Sequence, residues 1–493
     1  MKERILKKIN PDFIAIFIFA ILIGSINFYI KFEINDELWN FSNVYKMCNG
    51  YQIYKDLNVI ITPLFFYLGE LFLKVFGTNY FSFKIYNFFI YLLLYTAVYS
   101  IFKNLNKRRI KAFIYTIIVF LFSFIDIRAG ANYNTLAIAI VLIGILVNLK
   151  IDKDKWHLPY LQGIITFAIF MTKQNIAVFY FMGIFISDLF ICKSKKCIIK
   201  IIKFYLKQVL TIILLGIIFL YALKLQGNLY DFINFCVLGI DEFASNNVLF
   251  KGDVISIICI NFISIILSII FINNKMIENK IKYSNIKMLP IAVLLILMSY
   301  PIFNIYHVTL GSIVCIILLL FNIDYIIIEK VLDNKIENVI KIYKIIACII
   351  FFVGIIICIT YNIFYVQKSQ NPIPIYNGSV MTEEQIEKIN KICKYIKSNE
   401  ENGKSVKIIS CNANLYMNVL NKNNGVLDLP FYGNFGNKGE NIVIDYIKDA
   451  ENAKILIQKD EKIPWQESYK IRNYIKENLK FEGEIEDFLI YSK

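Results

Sequence analysis

Long runs of Ile, Leu, Phe and Val recur along most of this 493-residue chain, and they decide what it can fold into. They lie near 12 to 31, 80 to 102, 112 to 127, 134 to 149, 158 to 172, 175 to 192, 205 to 224, 253 to 272, 288 to 303, 308 to 328 and 345 to 365. A helical crossing of a bilayer takes about 20 mainly apolar residues, and only helices or closed barrels satisfy every backbone polar group in hydrocarbon. Runs this continuous favour helices over the residue-by-residue alternation of a membrane barrel. With 57% apolar and 18% charged residues and a mean hydropathy of +0.56, the chain has too little polar surface to cover a water-soluble particle of 57.6 kDa. The expected fold class is therefore a polytopic α-helical membrane protein with about 11 transmembrane helices and a C-terminal α/β domain.

Charge sets the expected topology. The run 61–77 (ITPLFFYLGELFLKVFG) is short, opens with Thr62-Pro63 and is interrupted by Glu70 and Lys74. If it crossed, the basic stretch 103–111 (KNLNKRRIK) would lie opposite the basic N-terminus MKERILKK, against the positive-inside rule. Reading it as an interfacial helix puts the Lys-rich connections 193–207, 275–287 and 330–344 on the cytoplasmic side with the N-terminus. The run 12–31 is long and lacks a small-residue cleavage site before Lys31, so it reads as an uncleaved first span. Residues 1–365 then form a transmembrane domain with a first outer loop at 32–79, and residues 366–493 an extracytoplasmic domain.

That tail alternates helical and strand signals. Thr382-Glu383-Glu384-Gln385 is a capping box opening an amphipathic helix to about Asn399. Strands are expected at 405–410, 454–458 and 485–491, and helices near 413–421, 440–449 and 466–478, the order of a small α/β unit. The Gly-rich stretch FYGNFGNKGE, around Gly433 to Gly439, lacks the strand-to-helix context of a phosphate-binding fingerprint and reads as a plain loop.

The net charge of +15 does not point to nucleic acid, because from residue 367 onward basic and acidic residues are equal in number. The excess sits in the membrane part, where it orients the chain and meets anionic lipid. Ten scattered cysteines show no zinc or redox spacing and read as small core residues, although Cys393 and Cys411 share the tail and could pair.

Chemistry can sit at a few places. The first outer loop carries Asp36-Glu37, and adjacent carboxylates beside apolar surface can bind a cation or act as a base. The bland reading is a helix start, with Asn35 as its cap and both acids complementing the dipole. Arg128 and Lys173 sit at outer ends of short hairpins, in FIDIRAGANYN and FMTKQNIAV. They can hold an anionic phosphate or simply snorkel to the interface. His307 follows Tyr300-Pro301-Ile302-Phe303-Asn304 and is either a hydrogen-bonded structural residue or part of a site. His157 takes no role, and the outer acids Asp126, Asp241 and Glu242 read as solvated. Asp36, Glu37, Arg128, Lys173 and His307 fall on one side of a topology derived without them. Carboxylates and cations at one lipid boundary suit a substrate with a phosphate and an acceptor hydroxyl.

The order of these features resembles the GT-C superfamily of membrane glycosyltransferases, in particular the bacterial family related to protein mannosyltransferases and aminoarabinose transferases. The resemblance rests on Asp36-Glu37, then Gly50-Tyr51-Gln52-Ile53-Tyr54-Lys55-Asp56, then Thr62-Pro63-Leu64-Phe65-Phe66-Tyr67. Further on, the stretch 128–134 resembles the family's outer turn between the third and fourth spans. Thr172-Lys173-Gln174 is similar to its threonine-lysine-glutamine turn, and Tyr300-Pro301 with His307 to its proline-to-histidine motif. The resemblance covers residues 1 to about 330. Two departures stand out. The basic residues preceding a double proline in many relatives are replaced here by Ile60-Ile61-Thr62 with one proline, and Asp126 and Arg128 do not form the second acidic motif of metal-dependent oligosaccharyl relatives.

The resemblance implies a glycosyltransferase of the hexosyltransferase type, inverting, that moves a sugar from a polyprenyl-phosphate donor to a glycan, protein or lipid acceptor. This would take place at the outer face of the plasma membrane. By the same analogy Asp36 is the general base, Glu37 positions the acceptor or binds the sugar, and Arg128 and Lys173 neutralise the lipid phosphate, with His307 beside the donor. No cofactor is expected, and a divalent metal is compatible with the resemblance but not implied by it. The alternative from another class is a lipid-linked oligosaccharide flippase or other transporter. Such proteins place ionisable residues near mid-span and repeat their halves, and no internal repeat is evident.

Overall fold

The computed structural model describes residues 11–28, 32, 36–106, 108–151, 154–192, 194–246, 249–250, 252–330, 371–427, 435–459 and 469–493. They fall into two compact units: one within Met1–Tyr29, Asn87–Gly216 and Phe250–Gln367, the other within Ile30–Tyr86, Ile217–Leu249 and Lys368–Lys493.

Six described helices are long and apolar enough to cross a membrane: Tyr80–Leu105, Tyr133–Lys150, Gln174–Ile191, Lys195–Gln226, Gly252–Asn273 and Asn279–Ser299. A seventh crossing arises if Ile305–Gly311 and Ile313–Ile326, bent by 51°, act as one. The expected count of about eleven is thus not confirmed. The run 112–127 is divided at Ser123 between the helices Arg109–Phe122 and Phe124–Ala129. Asp12–Asn27 and Leu158–Phe170 are apolar but short, and the run 345–365 lies outside the described residues. On Lys195–Gln226 the exposed residues Leu206, Leu210, Ile213, Leu214 and Ile217 recur at helical spacing, a lipid-facing stripe.

In the first unit, helix Gln174–Ile191 packs against Asn279–Ile296 across Gly183, where an added Cβ would come within 2.7 Å of the Ile291 Cα. Small residues permit such backbone approach where lipid removes the hydrophobic drive for helix association. Polar side chains supply the rest. Asn261, Ser264 and Ser268 share one face of helix Ile255–Asn273 by their three- and four-residue spacing. Asn261 donates to Ser312 Oγ at 2.7 Å, Ser264 to the Cys315 carbonyl at 2.6 Å, and Ser268 Oγ accepts from Asn322 at 3.1 Å.

In the second unit, helices Asp36–Cys48 and Leu64–Phe76 pack together and flank the glycine-tyrosine motif. Within that motif the Gln52 amide donates to the Asp56 carboxylate at 2.7 Å, and the Asp56 amide donates to the Gln52 carbonyl at 2.9 Å, closing the turn. Tyr54 is buried in a left-handed backbone conformation (φ 70°), its hydroxyl donating to the Ile61 carbonyl at 3.0 Å. Three motif residues are thus spent on shaping the loop.

The tail forms a four-stranded sheet in the order Ser405–Ile409, Ala453–Gln458, Phe488–Ser492, Lys480–Ile485, parallel in the first pair and antiparallel in the others. Ala453–Gln458 is central and buried nearly throughout, and its Ile455 and Ile457 share a core with Val443, Ile447, Ile471 and Ile475. The expected capping box is present, Thr382 Oγ1 accepting from the Gln385 amide at 3.2 Å. Strand Lys480–Ile485 is an addition to the expected order. The first part of the expected 466–478 helix and residues Gly433 and Asn434 of the glycine-rich loop lie outside the described residues. No disulfide joins Cys393 to Cys411.

Within this second unit the tail is packed onto the first outer loop. Lys46 Nζ donates to Asn414 Oδ1 at 2.7 Å and Asn418 Nδ2 to Ser42 Oγ at 2.7 Å, all four residues being buried. Tyr376, fully buried, places its ring 5.6 Å from Phe32 and 6.2 Å from Phe41, and donates to the Leu415 carbonyl at 2.9 Å.

Candidate functional site

The sequence-derived candidates divide between the units, three in the first and two in the second.

In the first unit, Asn132 caps helix Tyr133–Lys150, its side chain accepting from the Asn134 amide at 2.8 Å and the Thr135 amide at 3.3 Å. This cap fixes Tyr133 and Asn134 at the helix entrance. There Asn134 Oδ1 accepts from Lys173 Nζ at 2.5 Å, and the Tyr133 ring lies 5.6 Å from the same ammonium. Lys173 is the half-buried residue that leads into helix Gln174–Ile191. Burial pushes its pKa down to about 8. Among the described residues no carboxylate lies within ion-pairing distance of it.

His307 sits in helix Ile305–Gly311, capped by Asn304, whose side chain accepts from the His307 amide at 2.9 Å. Its Nδ1 is 3.0 Å from the Ile302 carbonyl. A carbonyl can only accept, so Nδ1 carries a proton, and Nε2 is the ring atom not engaged by backbone. The Lys173 charge reaches His307 through space. Arg128 lies in helix Phe124–Ala129, which packs against Ile305–Gly311; its side chain is outside the described part. The segments carrying Arg128, Lys173 and His307 therefore meet around the entrance of one helix.

Asp126 differs from the solvated acid expected. It is 1% exposed, with Oδ2 accepting from Thr135 Oγ1 at 3.2 Å and its carbonyl from the Tyr91 hydroxyl at 2.8 Å. Asp241 is exposed, as expected, and the Glu242 side chain is outside the described part.

In the second unit, Asp36 and Glu37 open helix Asp36–Cys48; Asn35, the expected cap, lies outside the described residues. The two acids have opposite surroundings. Asp36 is accessible to solvent, yet enough protein surrounds it to raise its pKa by desolvation. Glu37 is 1% exposed and forms an ion pair with Lys84 at 2.8 Å, the lysine itself 5.1 Å from the Tyr80 ring. Sequence reasoning missed Lys84 and Asn134. The Asn132 to Thr135 capping box was a readable signal for the second, whereas nothing local announces the first.

Among the described residues no group of three or more His, Cys, Asp or Glu side chains is arranged to hold a metal ion.

No family model and no curated protein matches the chain. Among solved structures it is similar to the archaeal oligosaccharyltransferase AglB from Archaeoglobus fulgidus in complex with an inhibitory peptide and a dolichol-phosphate. That match has 10% identity and a TM-score of 0.49, and covers 91% of this chain and 69% of that one. It is also similar to the Archaeoglobus fulgidus oligosaccharyltransferase in complex with Zn and sulfate, at 10% identity and a TM-score of 0.45, covering 90% and 68% respectively. Both are described as oligosaccharyltransferases. At TM-scores below 0.5 the likeness does not by itself establish a shared fold.

Proposed function

We propose that this protein is a polytopic membrane glycosyltransferase that moves a sugar from a polyprenyl-phosphate donor to a cell-envelope acceptor at the outer face of the plasma membrane. The observation that carries the reading is Lys173. It is a half-buried cation held by a neutral amide and an aromatic ring, with no carboxylate partner among the described residues and with His307 in electrostatic reach. A cation partly withdrawn from water without a counter-charge is costly, and an entering phosphate supplies that charge. Arg128, on the adjoining helix, is the second donor-phosphate cation.

In this reading Asp36 is the general base. It takes the proton of the acceptor hydroxyl while the acceptor oxygen bonds to the anomeric carbon. The bond from that carbon to the phosphate oxygen breaks, its electron pair leaving on the lipid phosphate, and configuration inverts. Base catalysis of this kind contributes roughly 10² to 10⁴ in rate. The raised pKa of Asp36 makes it a better base than an ordinary exposed carboxylate. Glu37 holds the start of its helix through Lys84 and so positions Asp36. The helices Asp36–Cys48 and Leu64–Phe76 lie at the interface, and the tail, docked on the first of them, selects the acceptor.

The test is transfer of radiolabelled sugar from a panel of polyprenyl-phosphate sugars to cell-envelope fractions by purified protein in lipid, wild type against Asp36→Asn. Transfer that collapses in a folded variant is the expected result. No transfer from any donor, together with lipid or solute movement in sealed vesicles, would replace the enzyme with a carrier.

A further inference from the structure

Helix Tyr133–Lys150 has Lys173 bound at its entrance and Lys150 at its far end, about 26 Å away at 1.5 Å per residue. At that far end a cleft of about 440 Å³ opens within the first unit, lined by Asp12, Tyr99, Ser100, Lys103, Asn104 and Lys150. These residues lie near the ends of apolar helices: Asp12 starts Pro11–Asn27, and Lys103 and Asn104 finish Tyr80–Asn106. The Asp12 carboxylate is already engaged by the Tyr99 hydroxyl at 2.8 Å, Lys103 at 2.5 Å and Arg109 at 3.3 Å. Three cations thus gather around one acid once Lys150 is included.

Three groups in the cleft stay uncommitted. The exposed Lys150 ammonium, the Ser100 hydroxyl and the Asn104 amide have no side-chain hydrogen bond or ion-pair partner among the described residues. Beside the cleft, Ile16 supplies an apolar wall, and Phe13 and Phe17, one turn apart on the same helix, are 68% and 66% exposed. A positive, donor-rich cleft at the ends of apolar helices, with exposed aromatic side chains on the helix that supplies Asp12 and Ile16, has the character of a headgroup site with an acyl-chain track.

We propose that this cleft binds the phosphate of an anionic phospholipid, Lys150, Ser100 and Asn104 donating to its oxygens and Lys103 supplying charge, while an acyl chain lies along Phe13 and Phe17. The site is independent of the donor site and belongs to the opposite leaflet. It is tested by native mass spectrometry of the full-length protein in a neutral detergent, titrated separately with phosphatidylglycerol, phosphatidylcholine and inorganic phosphate. One phosphatidylglycerol is expected to stay bound while phosphatidylcholine does not. Lys150→Gln combined with Asn104→Leu should weaken retention about tenfold or more. Lys150→Gln alone, at an exposed helix end, should weaken it in the same direction should the double variant not fold. Lys150→Arg should retain it, and Lys275→Gln, an exposed lysine in another basic loop, should leave it unchanged. Equal retention of phosphatidylcholine, unaltered retention in the Lys150 variants, or displacement of the lipid by equimolar inorganic phosphate would each overturn the proposal.

Discussion

Exchanging Glu37 for Gln tests whether the two adjacent acids divide their work as their surroundings indicate. Glu37 and Lys84 meet at 2.8 Å with side chains 0% and 2% exposed. Gln keeps the shape of Glu but removes the charge, leaving the Lys84 ammonium buried without its carboxylate. Breaking a buried pair from one side costs about 3–5 kcal/mol, whereas replacing both partners by neutral groups of similar volume is often close to neutral. Glu37→Gln should therefore lower the unfolding midpoint of the purified protein in detergent by a clear margin, and adding Lys84→Met should recover most of the loss. Asp36→Asn, at an exposed position, should stay within about 0.5 kcal/mol of wild type and still abolish sugar transfer. If Glu37→Gln is as stable as wild type, or the double variant is no better than the single, the buried pair does not hold the helix start and the division of labour fails.

Two further perturbations follow from the same geometry. Burial lowers Lys173 from 10.5 to about 8, so across that interval the unfolded chain keeps a proton that the folded donor-free protein has lost. Its stability should rise with pH there. Under the proposed function donor phosphate binding uses the ammonium and should weaken as pH passes about 8; a donor affinity flat from pH 7 to 9.5, or unaltered in Lys173→Gln, would detach Lys173 from the phosphate. Tyr376→Ala removes a fully buried ring from between Phe32 and Phe41, a loss of about 3–5 kcal/mol. Limited proteolysis should then release the tail earlier than in wild type, and unchanged protection would show that the ring does not hold it.

How much of this was legible in the sequence depended on the range over which each signal acts. The capping box at Thr382, the central strand AKILIQ and the helix after Pro63 rest on neighbours within a turn or two, and all appear as read. Strand Lys480–Ile485 was hidden because it is an edge, its residues mostly exposed and charged around Gly483, so it lacks an apolar face. Apolar length alone could not reveal that Ser123 divides the run 112–127: its hydroxyl bonds the Val119 carbonyl at 2.7 Å and lies 2.8 Å from the Tyr95 hydroxyl, a partner from another helix. The same limit applies to the site. Lys173 could be singled out as a cation beside hydrocarbon, but its Asn134 partner is 39 residues away, and the Lys84 that buries Glu37 lies 47 positions downstream, where no periodicity points to it.

The bonds that join Lys46 to Asn414 and Ser42 to Asn418 also impose a schedule. The first partner of each pair emerges early from the ribosome and the second 368 or 376 residues later. At about 5–20 residues per second that is an interval of roughly 20–75 seconds. Throughout it the helix bearing Asp36 lacks two of the neighbours that bury Lys46 and Ser42. The nascent protein thus carries its proposed base in an unfinished setting until Asn414 and Asn418 have been made. Under the proposed function, assembly order itself would hold a half-built chain inactive.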